Sequence, residues 1–220
     1  TDKHGISQVG ASRLGGLAIF ISWLGLMLAG YYSGYLGGNL GGPAGPYRFD
    51  WFAVGCCAVL GLAEDLRNGT LSPRFRLFSK LGIFGVAIGF WPLLIPIDIG
   101  IPPLDALMAV PFIGWFITVI FSVGFINAVN MSDGANGLIP GIMTIAYSLF
   151  YLNTGEFIYA AMMTACGLFT IFNIISGRLF LGDAGAYGLG ASLVISALYL
   201  FSQDVFSAAF LACLFAYPCI

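Results

Sequence analysis

The residues best suited to chemistry lie in one stretch, Asn127-Ala128-Val129-Asn130-Met131-Ser132-Asp133-Gly134-Ala135-Asn136-Gly137-Leu138. Its twelve residues hold one carboxylate, three amides and two glycines, between two runs too apolar for water. A polar cluster between membrane-length runs is costly unless it faces an aqueous cavity or a bound ion. Asp133-Gly134 and Asn136-Gly137 also read as a turn offering backbone N–H groups to an anion. A plain solvated Asn-Gly turn is the competing reading.

Two further acidic clusters decide between them. Glu64 and Asp65 close one apolar run, and Asp183 precedes another. Hard divalent cations such as Mg²⁺ favour carboxylate oxygens and keep waters that substrate phosphates can replace. Phosphoryl transfer needs chiefly that charge neutralisation, together with positioning. Arginines near these acids, Arg13 and Arg76 among them, suit the remaining phosphate oxygens. Taken singly, any of these acids could be an interfacial ion pair. Convergence of four from three loops favours a site joining a phosphorylated cytosolic substrate to something in the bilayer.

The elements that position these residues are membrane spans. Hydrophobic residues make up 59% of the chain and charged ones 8%, against roughly 25% charged in a soluble domain. Apolar runs at about 14–36, 51–66, 77–95, 112–127, 138–152, 157–175 and 187–201 predict seven helices, and an eighth starts near 205. Ser72-Pro73 marks a helix start. The prolines at 96, 102, 103 and 111 predict an irregular or extended excursion. The fold expected is an all-α, polytopic transmembrane bundle of about eight spans.

Alternation of loops puts residues 1–13, 64–76, 128–137 and 176–186 on one face. Of eight Lys and Arg residues, only Arg48 falls on the other. The positive-inside rule makes the first face, which carries all the candidate acids, cytoplasmic. The five cysteines lie in apolar runs without metal-like or disulfide-like spacing, and His4 reads as a surface residue. Without internal repeats or linkers, residues 1–220 are expected to be one domain. The start at Thr1 and the stop at Ile220 inside an apolar run suggest a piece incomplete at both ends.

Three ordered motifs carry a resemblance: Gly61-Leu62-Ala63-Glu64-Asp65, then 127–138, then Asn173 with Leu179-Phe180-Leu181-Gly182-Asp183-Ala184-Gly185. With Arg13-Leu14-Gly15-Gly16-Leu17, they resemble the polyprenyl-phosphate N-acetylhexosamine-1-phosphate transferases. These belong to glycosyltransferase family 4 and are related to the phospho-N-acetylmuramoyl-pentapeptide transferases. The resemblance implies transfer of a sugar 1-phosphate, N-acetylhexosamine 1-phosphate by expectation, from a UDP-sugar to a polyprenyl (undecaprenyl) phosphate. UMP is released, and the setting is cell-envelope polysaccharide synthesis at the inner membrane. It further implies Mg²⁺ on Asp183 and the uracil stacked on Phe180. Asn127, Asn130, Asp133, Asn136 and Asn173 would line the pocket. Asp65, supported by Glu64, would activate or orient the acceptor phosphate, with Asp133 a third catalytic acid. A homodimer is compatible with the resemblance, and no nucleic-acid partner is implied.

Two departures from the family pattern stand out. Glu64 replaces the first of a usual Asp-Asp pair, and Asn136 replaces an acid often found there. The family's His-rich loop would follow one more span. Two other classes stay open at this point. A CDP-alcohol phosphatidyltransferase wants Asp-Gly-x-x-Ala-Arg, whereas Asn136-Gly137 follows Ala135 here. A transporter would place its acids near the midplane rather than at one face.

Overall fold

The computed structural model describes residues 12–33, 50–67 and 71–217. The expected Gly/Pro loop at 37–49 with Arg48, the residues Lys3 and His4, and Cys219 lie outside them. Nine α-helices are present among the described residues: α1 (Gly15–Tyr32), α2 (Asp50–Leu66), α3 (Pro73–Phe90), α4 (Pro102–Met108), α5 (Pro111–Ser132), α6 (Leu138–Thr154), α7 (Phe157–Ser176), α8 (Gly182–Ser202) and α9 (Ala208–Ala216). The expected bundle is therefore the observed one. Helices α1, α5, α7 and α8 are each long and apolar enough to cross a membrane.

Helix α8 is the axis of the bundle and is buried from Ala184 through Leu198. Its composition explains why. Gly185, Gly188 and Gly190 with Ala184, Ala186 and Ala191 leave a thin surface on which other helices can lie closely. Helix α2 packs on it most extensively, with α5 and α1 beside it, while α6 pairs with α7. The hydroxyls of Tyr147 on α6 and Ser192 on α8 share a hydrogen bond of 2.6 Å. Burying both hydroxyls is tolerable because each satisfies the other.

Near the starts of α1 and α8 the backbones touch. At Gly16 a Cβ would lie 2.1 Å from the Gly185 nitrogen, and at Gly61 one would lie 2.2 Å from the Asp183 carbonyl oxygen. Real Cβ contacts are never that short, so both positions demand glycine. Residues 12–16 also run alongside 178–181. Ser12 N–H donates to the Arg178 carbonyl (3.1 Å), Phe180 N–H to that of Ser12 (2.8 Å), and Gly15 and Gly16 N–H to those of Phe180 and Leu181 (2.9 and 2.8 Å). These bonds satisfy two amides at the start of α1, which has no side-chain cap.

Three element boundaries depart from the sequence reading. The excursion after α3 is partly helical. Pro102 and Pro103 open α4, with ring-fixed φ values suited to a first turn, and the Asp105 carboxylate accepts from Ile99 N–H at 2.8 Å and Gly100 N–H at 3.2 Å. Helix α5 runs on to Ser132, so Asn130 is helical rather than in a loop, while Asn127 is helical as expected. Helix α8 begins at Gly182, which puts Asp183 in a helical first turn. Ser72, by contrast, caps α3 as expected, accepting from Phe75 N–H at 3.2 Å.

Gly61→Ala should destabilise the detergent-solubilised protein by roughly 1–3 kcal/mol, because a methyl group there has no space. Gly55→Ala on the same helix, where nothing lies within 4 Å, should leave thermal stability unchanged or raised. Equal melting temperatures for the two variants would contradict the close α2–α8 approach.

Candidate active site

A polar cavity of about 80 Å³ opens where α1, α2 and α8 meet the α5–α6 connection. Its walls comprise Arg13, Asp65, Asn130, Asp133, Gly134, Ala135, Asn136, Asn173, Phe180, Leu181, Gly182 and Asp183. Most residues singled out from the sequence are thus brought together. Its carboxylate, amide and guanidinium walls suit an ion and the phosphate groups that accompany it.

Each wall residue is held by a nearby element. Asn173, 3% exposed on α7, accepts from Gly137 N–H through Oδ1 (2.5 Å) and donates from Nδ2 to the Leu179 carbonyl (2.6 Å). It thereby staples the 133–137 turn to the segment that leads into Asp183. Gly134 N–H is also committed, to the Ser132 carbonyl (2.8 Å). The anion cradle expected at this turn therefore has two of its N–H groups already in use. Asp65 reaches across from α2, its two oxygens accepting from Asp183 N–H (3.0 Å) and Ala184 N–H (2.8 Å).

Three expected site residues are absent from the cavity wall. Glu64, buried on α2, pairs with Arg76 at 3.2 Å and accepts from Leu71 N–H at 3.2 Å. It closes the α2–α3 connection, and in doing so engages Arg76. Asn127 accepts a hydrogen bond from Lys80 Nζ.

Lys80 itself is what the motif reading passed over. It is 1% exposed on α3, and its ammonium lies 3.9 Å from the centre of the Tyr187 ring. The signal was available as a lone cation inside an apolar run, which in a membrane span is a functional candidate by default. The sequence reading used it only to assign sidedness.

Electrostatically the cavity is acidic. Burial pushes the Asp133 carboxyl up to about 7, and the charges of Asp183 and Asp65 push it further the same way. Arg13 on the wall offers a countercharge. The donor set is one of oxygens, which fits Mg²⁺. Among the described residues no group of three His, Cys, Asp or Glu could enclose an ion. An ion held here would need waters or substrate phosphates to complete its shell, as Mg²⁺ ordinarily does.

Fold and cavity together define an integral-membrane helical protein with an acid- and amide-lined site at one end of its bundle. The sequence profile described as glycosyl transferase family 4 matches residues 50–201, a span holding the motifs at 61–65, 127–138 and 173–185. A phospho-N-acetylmuramoyl-pentapeptide-transferase from Synechococcus sp. (strain JA-2-3B'a(2-13)) is 30% identical over 87% of this chain and 56% of its own length. Its counterpart from Bacillus subtilis is 31% identical over 64% of this chain and 48% of the relative. That from Limosilactobacillus fermentum is 41% identical over 40% of this chain and 30% of the relative. The chain belongs to glycosyl transferase family 4, and it spans about half the length of the Synechococcus relative. This membership sets aside the phosphatidyltransferase and transporter readings.

The raised carboxyl has a thermodynamic consequence. In the folded, metal-free protein Asp133 holds its proton up to about pH 7, whereas an unfolded Asp releases it near 3.8. Between those values the native state binds the extra proton, so stability falls as pH rises. The melting temperature of metal-free protein should therefore drop from pH 4 to pH 7, and Asp133→Asn should reduce the slope. An unchanged slope in that variant would show that Asp133 is not buried among acids.

Proposed function

We propose that this chain belongs to a single membrane domain that transfers a sugar 1-phosphate from a UDP-sugar to polyprenyl phosphate. The setting is cell-envelope polysaccharide synthesis, with undecaprenyl phosphate as the acceptor and UMP as the second product. N-Acetylhexosamine 1-phosphate is the group transferred. The observation that carries this is the meeting of Asp133, Asp183, Arg13 and Phe180 in one cavity. The names of its relatives, transferases of a phosphorylated amino sugar, agree with it. The excess of Lys and Arg on the same side supports a cytoplasmic position for the cavity.

The chemistry follows from the walls. An oxygen of the lipid phosphate attacks the phosphorus that carries the sugar. The new P–O–P bond forms as the bond to the UMP oxygen breaks. Asp183 would hold Mg²⁺, which when bound would supply charge neutralisation at the diphosphate. Arg13 binds phosphate oxygens that the carboxylates would otherwise repel. Asp133, whose buried carboxyl holds its proton more firmly than usual, offers the same phosphates an O–H donor. Asn130 and Asn136 offer amide donors and acceptors to the nucleotide sugar. The Phe180 ring provides a face for the uracil. Glu64 and Arg76 act on the site through the α2–α3 connection that their ion pair closes.

The test is UMP release by the full-length protein from a panel of UDP-sugars with polyprenyl phosphate and Mg²⁺. Phe180→Ala should weaken use of the UDP-sugar by roughly ten- to a hundredfold, the ~1–3 kcal/mol of one stacking face. Asp183→Asn should abolish the Mg²⁺-dependent rate, because an amide is a neutral and weaker ligand for a hard cation. No UMP from any sugar nucleotide would end this reading. Wild-type turnover in Asp183→Asn would end the metal assignment.

A further inference from the structure

We propose that Asp65 is a positioning residue that caps helix α8 from the neighbouring helix α2, rather than the group that activates the acceptor. Its functional consequence rests on the transferase reading above, while the cap itself stands on geometry alone.

The first amides of a helix have no partner within it. In α8 the cap position is occupied by Leu181, an apolar side chain that makes no cap bond. The amides of Asp183 and Ala184 are instead taken by Asp65, one carboxylate oxygen each. A negative charge placed there also complements the positive end of the helix dipole. Both of its oxygens already serve these amides, so a protonated Asp65, or one turned toward a lipid phosphate, would weaken the cap.

Asp65 is 8% exposed, and its place depends on Gly182, whose φ is +72°. Any Cβ there would lie 2.7 Å from Asp65 Oδ2, so the glycine leaves the space that the carboxylate fills. Gly61 and Asp65 stand four residues apart, on one face of α2. Both grip Asp183: Gly61 lets the Asp183 carbonyl in, and Asp65 holds its N–H. One turn of α2 therefore fixes the backbone of the residue assigned to Mg²⁺. The neighbouring acid, Glu64, is committed to Arg76 and to Leu71 N–H and lies off the cavity wall, whereas Asp65 reaches that wall with both oxygens engaged by the α8 amides.

The test uses the full-length protein and two readouts. Hydrogen–deuterium exchange on the wild type should show the amides of Asp183 and Ala184 protected. They should stay protected when UMP with Mg²⁺, and then polyprenyl phosphate, are added. In Asp65→Asn one acceptor is lost, so exchange at this peptide should quicken. Mg²⁺-dependent binding of UMP should weaken by roughly three- to thirtyfold, the range expected for losing a helix cap. Remaining turnover should keep the wild-type pH profile. Deprotection of these amides on binding polyprenyl phosphate would overturn the proposal. So would an Asp65→Asn protein that binds UMP as the wild type does yet has lost turnover. Should that variant fail to fold, exchange in the wild type decides alone. A wild type that binds no UMP would remove the transferase reading, with exchange still deciding the cap.

Discussion

Contact between backbones at the start of α8 is the constraint on which the rest of the structure depends. Gly16 and Gly61 bring α1 and α2 against the first turn of α8 at distances that admit no side chain. Ordinary helix pairs are held apart by their side chains at about 8–10 Å. Here the missing side chains let hydrogen bonds pass between elements instead of only within them. Gly15 and Gly16 donate to Phe180 and Leu181, and Asp65 accepts from Asp183 and Ala184. The acid-lined cavity is what remains once the starts of α1 and α8, the end of α2 and the 133–137 turn, stapled by Asn173, have been fixed.

That cavity concentrates like charge at the end of an apolar bundle, an arrangement that burial makes costly. The surroundings offset part of it. Asp65 spreads its charge into two amides, Glu64 has Arg76, and Lys80 sits beneath, between Asn127 and the Tyr187 ring. Asp133 keeps a raised proton affinity, mainly because it is buried and also because Asp183 and Asp65 are near. A site prepared in this way favours a cation together with the phosphate groups that accompany it.

Much of this was legible in the sequence, for reasons that can be traced. The apolar runs marked the helices because membrane-length hydrophobicity has few other meanings. The acids, amides and Phe180 were found because polar residues are rare in such a chain. Helix ends were less visible. The polar tails of α5 and α8 look like loop when helix is judged by hydropathy, so Asn130 and Asp183 were placed just outside helices that contain them. Roles that depend on partners distant in sequence were not visible at all. Nothing at 61–65 indicates that Gly61 and Asp65 meet residue 183, and nothing at 173 indicates a staple between two loops. Lys80 was in plain view, but a single charge without a motif around it was read only as a sign of sidedness.

Residues 12–16 and 178–185 form one unit that builds the cavity. Ser12 and Leu179 pair as neighbours in a short parallel bridge, which brings their backbones within the reach of a disulfide. The direct measurement is oxidation of a Ser12→Cys, Leu179→Cys full-length protein whose native cysteines have been replaced, followed by mass spectrometry and UMP binding. An intramolecular disulfide should form in high yield with UMP binding retained. Failure of the two thiols to join, or a bridge that forms only with loss of UMP binding, would contradict that single unit.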